Sequence, residues 1–183
     1  MKCYNWLVLS LLMVPLSVQS QSTYSIGGAA VYGDDIGSVG FNTRLYQNSK
    51  NHRFCIGPEF TYFPKKTESI GSEISERTLF ELNFNAHYIF ELVENLGAYP
   101  LTGLNYSQEK EELFEDNELI ENETIREFGW NVGFGLHYQL NSRWLLFTEY
   151  DYLISDLQQS TIAVGILYTF GKGFKVGGHH KKE

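Results

Sequence analysis

Residues 127–139 read EFGWNVGFGLHYQ, and their order decides the fold. Phe128, Trp130, Val132, Phe134, Leu136 and Tyr138 alternate with Glu127, Gly129, Asn131, Gly133, Gly135, His137 and Gln139. A strand repeats every two residues, so one face is wholly large and apolar while the other is small or polar. The same alternation sets Phe80, Leu82, Phe84, Ala86, Tyr88 and Phe90 against Glu81, Asn83, Asn85 and His87. It recurs with Ile162, Val164, Ile166, Tyr168 and Phe170 against Thr161, Ala163, Gly165 and Thr169.

Five further segments rich in aromatic or β-branched residues, Thr23–Tyr32, Gly37–Tyr46, His52–Tyr62, Leu96–Tyr106 and Arg143–Leu153, bring the expected strands to eight. The connections are 33–36, 47–51, 63–77, 91–95, 107–126, 141–142 and 154–157. With the N-terminus on the periplasmic side, the odd-numbered connections face outward, and the two longest are among them. Short inner turns with longer outer loops are the pattern of a transmembrane barrel. The expected fold is all-β, an eight-stranded antiparallel up-and-down transmembrane β-barrel.

Lysine argues for lipid rather than water outside. All nine lysines fall in the N-terminal stretch, the expected connections or the tail. A soluble lipocalin-like barrel, which alternates in the same way, would carry several on its strands. Tyr24, Tyr32, Tyr62, Tyr88, Tyr106, Tyr138, Trp144, Tyr150 and Tyr168 stand near strand ends, where interfacial girdles are built. Pro58 and Pro100 fall inside strand segments and suggest bulges, since each removes a ladder donor.

Residues 1–20 read as a signal peptide, with Lys2 ahead of an apolar run from Trp6 to Leu16 and small residues before Gln21. The barrel domain is 21–170, and 171–183 is a periplasmic tail with Lys172, Lys175, His179, His180, Lys181 and Lys182. Removing Cys3 leaves Cys55 alone, so neither an intramolecular disulfide nor a cysteine-pair metal site is available. A net charge of −8 with scattered cations excludes a nucleic-acid partner.

The alternating strands, together with Gly165, Tyr168 and Phe170 in the last one, make the chain resemble the small eight-stranded outer-membrane barrel proteins of the OmpX and OmpA type. The resemblance covers residues 21–170. It implies insertion into outer-membrane lipid by the barrel-assembly machinery, with Gly165, Tyr168 and Phe170 as the terminal assembly signal.

Parity with the outward aromatics places Arg44, Arg53, Glu59, Glu81, His87, His137, Arg143, Glu149 and Asp151 inward. Buried charges of both signs must pair, so these residues read as an interior network that plugs the barrel, with a narrow path for small ions as the alternative. No metal-ligand spacing is present, and no Ser stands two residues after His52, His87 or His137, so neither a cofactor nor catalysis is expected. The connection 107–126 carries eight acidic residues against Lys110 and Arg126, a formal charge of −6. Leu113-Phe114 and Leu119-Ile120 flank Asp116-Asn117, which suggests a hairpin with its apex at Asn117. A helix over this glutamate-rich stretch is the alternative. Leu113, Phe114, Asp116, Asn117, Leu119 and Ile120 are the candidate contacts for an extracellular protein, and the acidic residues could draw divalent cations.

Overall fold

The structure is a computed structural model that describes residues 23–70, 73–116 and 118–171. The expected signal peptide, the tail beyond Gly171 and Asn117 lie outside the described residues. The strands are β1 (Thr23–Gly33), β2 (Ser38–Asn48), β3 (Phe54–Ile70), β4 (Glu73–Tyr88), β5 (Phe90–Val93), β6 (Leu96–Glu115), β7 (Glu118–Gln139), β8 (Trp144–Ile154) and β9 (Gln159–Phe170). Short β5 continues β4 past Ile89, since His87 pairs with Leu101 and Phe90 with Ala98 in unbroken register. Eight staves therefore run antiparallel, and the ring closes through β1 with β9 and β4 with β6.

Alternation sorts the side chains as read from the sequence. Phe128, Phe134 and Val164 are 80%, 63% and 61% exposed on the outer surface, while Asn105, Glu59 and Arg44 are buried inside. So continuous an apolar exterior is far larger than a water-soluble monomer tolerates. Between Tyr88 and Phe80 on β4, or Leu96 and Tyr106 on β6, eight to ten residues separate the lower and upper girdles. At ~3.4 Å per residue and a ~40° tilt, that spans roughly 20–26 Å, the height of a lipid-facing apolar band.

The staves differ in height. β1, β2, β8 and β9 hold 11, 11, 11 and 12 residues, whereas β3, β4, β6 and β7 hold 17, 16, 20 and 22. The long staves are contiguous and stay paired to their tips, with Ile70 opposite Glu73, Glu73 opposite Glu115 and Glu115 opposite Glu118. One side of the barrel thus continues beyond the rim as a four-stranded sheet. The stretch 63–77, expected as a loop, is mostly strand. Lys65, Lys66 and Lys110 consequently lie in strands, but in the parts above the rim.

Neither proline makes the expected bulge. Pro58 falls in a gap of the β2–β3 ladder between Arg44–Glu59 and Gln47–Ile56, and Pro100 faces the β4–β5 break; register is kept at both. One bulge lies at Pro64-Lys65, between Phe63–Leu79 and Lys66–Arg77. It falls where β3 leaves the rim. Another lies in the 107–126 hairpin, whose turn between Glu115 and Glu118 is two residues long rather than centred on Asn117. An even turn would invert one strand's faces, and the extra residue Ile120 restores them by bulging opposite Leu113/Phe114. The expected pair of Phe114 with Ile120 is accordingly Phe114 with Leu119, and Tyr106 pairs with Phe128.

Candidate functional site

Arg44 on β2 is the hub of the lumen. Its Nη2 meets Glu59 Oε2 on β3 at 3.1 Å, its Nη1 donates to both Glu149 oxygens on β8 at 3.0 and 3.1 Å, and its Nε donates to Asn42 Oδ1 at 2.8 Å. The guanidinium also lies 4.3 Å from the Phe147 ring centre. All three nitrogens are engaged at a site 3% exposed, in charge-assisted bonds to two carboxylates and one amide.

The rest of the section is filled by hydrogen bonds. Glu59 Oε1 accepts from the Tyr46 hydroxyl and, at 2.7 Å, from Asn85 Nδ2. Because Tyr46 gives its one proton to Glu59, the 3.1 Å contact with His87 must run from His87 Nε2–H to the Tyr46 oxygen, which fixes the tautomer. His87 stacks on Tyr99 at 5.0 Å, Tyr99 stacks on His137 at 6.0 Å, and the Tyr99 hydroxyl donates to Glu149 at 2.9 Å. Asn105, Asn83 and Asn131 form an amide ladder, and Asn48, Ser25 and Thr169 make the floor. At the outer end, buried Ile36, Phe63 and Leu79 belong to the apolar cluster of the interior.

Of the nine residues expected inside, Arg44, Glu59, Glu81, His87 and Glu149 are buried, and Asp151 and His137 line the interior with partial exposure. Arg53 and Arg143 are corrections. Each shares parity with an inward residue, Cys55 and Leu145, but stands just before its strand begins and is exposed at the rim opposite the tall sheet. Arg143 donates there to the Tyr168 hydroxyl at 3.2 Å. The interior also takes Tyr46, Phe63, Tyr99 and Phe147, aromatics that composition alone assigns to lipid. Their parity with Arg44, Thr61, Leu101 and Glu149 is the signal that finds them. Gly165 faces inward where any side chain would meet the Phe147 ring, while Tyr168 and Phe170 pack edge to face at 5.0 Å.

A cavity of about 20 Å³ sits within the network, lined by Glu81, Asn131, Glu149, Asp151 and Gln159 among others. That volume admits about one water molecule. Asp151 Oδ1 and Gln159 Nε2 are buried without a protein partner and line this cavity, and a water there would accept from the amide and donate to the carboxylate.

Above the rim the tall sheet has two chemically distinct faces. Its inner face continues the lumen parity and carries Glu68, Glu73, Glu109, Glu111, Glu115, Glu118, Glu121, Glu123 and Glu127 against Lys66 and Arg77. Arg77 holds Glu109 at 2.5 Å and reaches Asp35, in the β1–β2 turn, at 2.8 Å. Partial burial opposes the charge of Arg77, but Glu109 and Asp35 outweigh it and keep its pKa above the ordinary guanidinium value. On the outer face Lys65 pairs with Glu76 and Lys110 with Glu112, each at 2.6 Å. Among the described residues two edges lack a neighbouring strand: β3 beyond Tyr62, and β7 from Glu118 to Gly129. Of the contact candidates, Leu113 lies on the inner face, Phe114 on the outer, Leu119 and Ile120 at the bulged edge, and Asp116 in the turn with a φ of 49°.

Residues 7–170 match the family model of the outer membrane protein beta-barrel domain. The chain belongs to that family. It is an outer-membrane β-barrel protein, and the apolar exterior is its lipid-facing surface. Among solved structures it is similar to Ail, the attachment invasion locus protein of Yersinia pestis (18% identity, 81% of this chain and 97% of Ail, TM-score 0.57). It is similar also to the N-terminal β-barrel domain of Pseudomonas aeruginosa OprF (12% identity, 83% and 100%, TM-score 0.61). A major outer membrane protein of Thermus thermophilus shares 10% identity over 82% of this chain and 100% of that one, at a TM-score of 0.66. These likenesses are of fold. No curated protein matches in sequence.

Proposed function

We propose that this protein is a non-enzymatic surface-interaction barrel, exported by its N-terminal signal, whose tall outer sheet is the contact surface and whose lumen is a structural plug. The observation that carries the reading is the sheet itself: four paired strands beyond the rim, with two unpaired edges and a strongly acidic inner face. Unpaired edges offer backbone donors and acceptors to an extended segment of another protein, and the carboxylates select a cationic one. Ail has been solved in complex with the heparin analogue sucrose octasulfate. A polyanion of that kind would meet like charge on the inner face here, so the fitting partner is a lysine- or arginine-rich protein segment.

Deleting residues 110–123 tests this on cells displaying the protein, with a fluorescent lysine-rich peptide as probe. The shortened barrel should assemble with the heat-dependent gel mobility of the full chain and lose at least tenfold in peptide binding. Binding to the full chain should weaken as salt rises. Unchanged binding would overturn the reading, and discrete conductance steps in planar bilayers would overturn the plugged lumen.

A further inference from the structure

The outer face of the tall wall changes character when it is followed upward out of the lipid. Phe60, Phe80, Tyr106 and Phe128 form a ladder across β3, β4, β6 and β7, with ring centres 6.1, 5.9 and 5.0 Å apart. Such a ladder marks the upper hydrocarbon boundary. On β7, β6 and β3 the next charged residue on that face is a cation, and on β4 it is Glu76, two outward positions above Phe80 and paired with Lys65. Arg126 is the outward position directly above Phe128, Lys110 stands two outward positions above Tyr106, and Lys65 sits in the bulge that follows Tyr62.

Distance decides what these cations face. One or two outward positions correspond to ~7–14 Å along the strand and less in height because of the tilt. The headgroup zone occupies roughly 5–8 Å on each side of the hydrocarbon, and long basic side chains reach back toward it. The carboxylates of this face, Glu76 and Glu112, lie one position further out; they oppose each other across β4 and β6, and Lys65 and Lys110 each hold one. Exposed Arg126 hydrogen-bonds instead to a neutral group, Gln108 Oε1, at 3.1 Å. The same length of sheet thus presents carboxylates toward the barrel mouth and cations toward the membrane border.

We propose that Lys65, Lys110 and Arg126 form a binding site for the phosphate of an anionic lipid in the outer leaflet, with Arg126 as its principal ligand. A planar guanidinium held by one neutral amide keeps its remaining N–H groups for phosphate oxygens, and the two lysines add charge from one side, Lys110 on the adjacent β6 and Lys65 further along the wall on β3. Continuity with the lipid-facing aromatics and the sign of the charge both favour this occupant. The site is separate from the acidic face and does not depend on what binds there.

Native mass spectrometry of the full chain in detergent, titrated with phosphatidylglycerol or with phosphatidylcholine of the same acyl chains, tests the site. The wild type should retain phosphatidylglycerol in preference, with millimolar inorganic phosphate failing to displace it. The triple variant Lys65→Gln, Lys110→Gln, Arg126→Gln should lose at least tenfold in that affinity, and Arg126→Gln alone about threefold with part regained in Arg126→Lys. The periplasmic-rim variant Arg53→Gln, Arg143→Gln should keep it. Heat-dependent mobility reports folding, and if the triple variant does not fold, the single substitutions decide. Equal retention of both lipids by the wild type, an Arg126→Gln protein that binds as the wild type does, or loss of affinity in the rim variant instead would overturn the proposal.

Discussion

Two walls of one barrel obey the same rules up to the rim and different ones above it. Within the membrane β1, β2, β8 and β9 alternate as β3, β4, β6 and β7 do, because lipid outside and a packed lumen inside leave each side chain one permissible face. At the rim the short wall stops on turn chemistry. Gly37, at φ 59°, donates its N–H to the Asp34 carbonyl at 3.1 Å, and the Ser155 hydroxyl bonds the Leu157 carbonyl at 2.9 Å. The tall wall runs on, and there both faces become polar because water lies on both sides. The ladder alone holds it, with ion pairs sorted by face.

That contrast makes the lumen the cooperative part of the molecule and the tall sheet the separable part. Arg44 joins the walls, since Glu59 stands on the tall one and Glu149 on the short one. Arg44→Met should therefore have the largest effect, leaving two buried carboxylates unpaired at a cost of about 3–5 kcal/mol in urea unfolding from lipid vesicles. Adding Glu59→Gln and Glu149→Gln should recover much of it. A loss below about 1 kcal/mol would mean that water, not Arg44, satisfies those carboxylates. Phe63 comes next: it is fully buried at the point where β3 leaves the rim. Phe63→Ala should destabilise the same transition by about 3 kcal/mol.

How much of this was legible depends on the same boundary. The staves could be read because lipid enforces alternation, and residues 127–139 already contain the whole rule. Residues 63–77 read as a loop because Lys65, Lys66, Glu68, Glu76 and Arg77 put charge on both faces, which erases a period-two hydrophobic signal without erasing the strand. The 107–126 hairpin showed through only because Leu113, Phe114, Leu119 and Ile120 interrupt the glutamates. Inside the barrel, parity found Arg44, Glu59 and Glu149, but it also swept in Arg53 and Arg143, since parity says nothing about where a strand begins. Equating aromatic with outward hid Tyr46, Tyr99 and Phe147, which an eight-stranded lumen needs as filling.

The smaller effects probe whether the tall sheet is coupled to the barrel at all. Arg77 is the tie that reaches the short wall, through Asp35, and it is partly exposed. Arg77→Ala should cost no more than about 1 kcal/mol globally. Amide exchange in residues 73–79 should nonetheless speed up by several-fold while the lumen strands keep their protection. If lumen exchange rises equally, the two parts unfold as one and the separation drawn above fails.

Acid should loosen the sheet tips first and least. The hydrogen bond from Lys110 holds the Glu112 carboxyl below its ordinary value, and Lys66 does the same for Glu68. A depressed carboxylate contributes stability that is fully present above its unfolded value of about 4.3 and is lost as pH falls through the lower folded value. Between about pH 7 and 5, then, nothing should change. Below about pH 4 the protection factors of 107–115 and 118–126, corrected for intrinsic exchange, should converge on those of Lys110→Gln, whose pair is already absent. An effect of Lys110→Gln that persists undiminished at about pH 3 would show that the lysine acts through packing of its stem rather than through charge, and the sheet would then be held by more than its ladder and ion pairs.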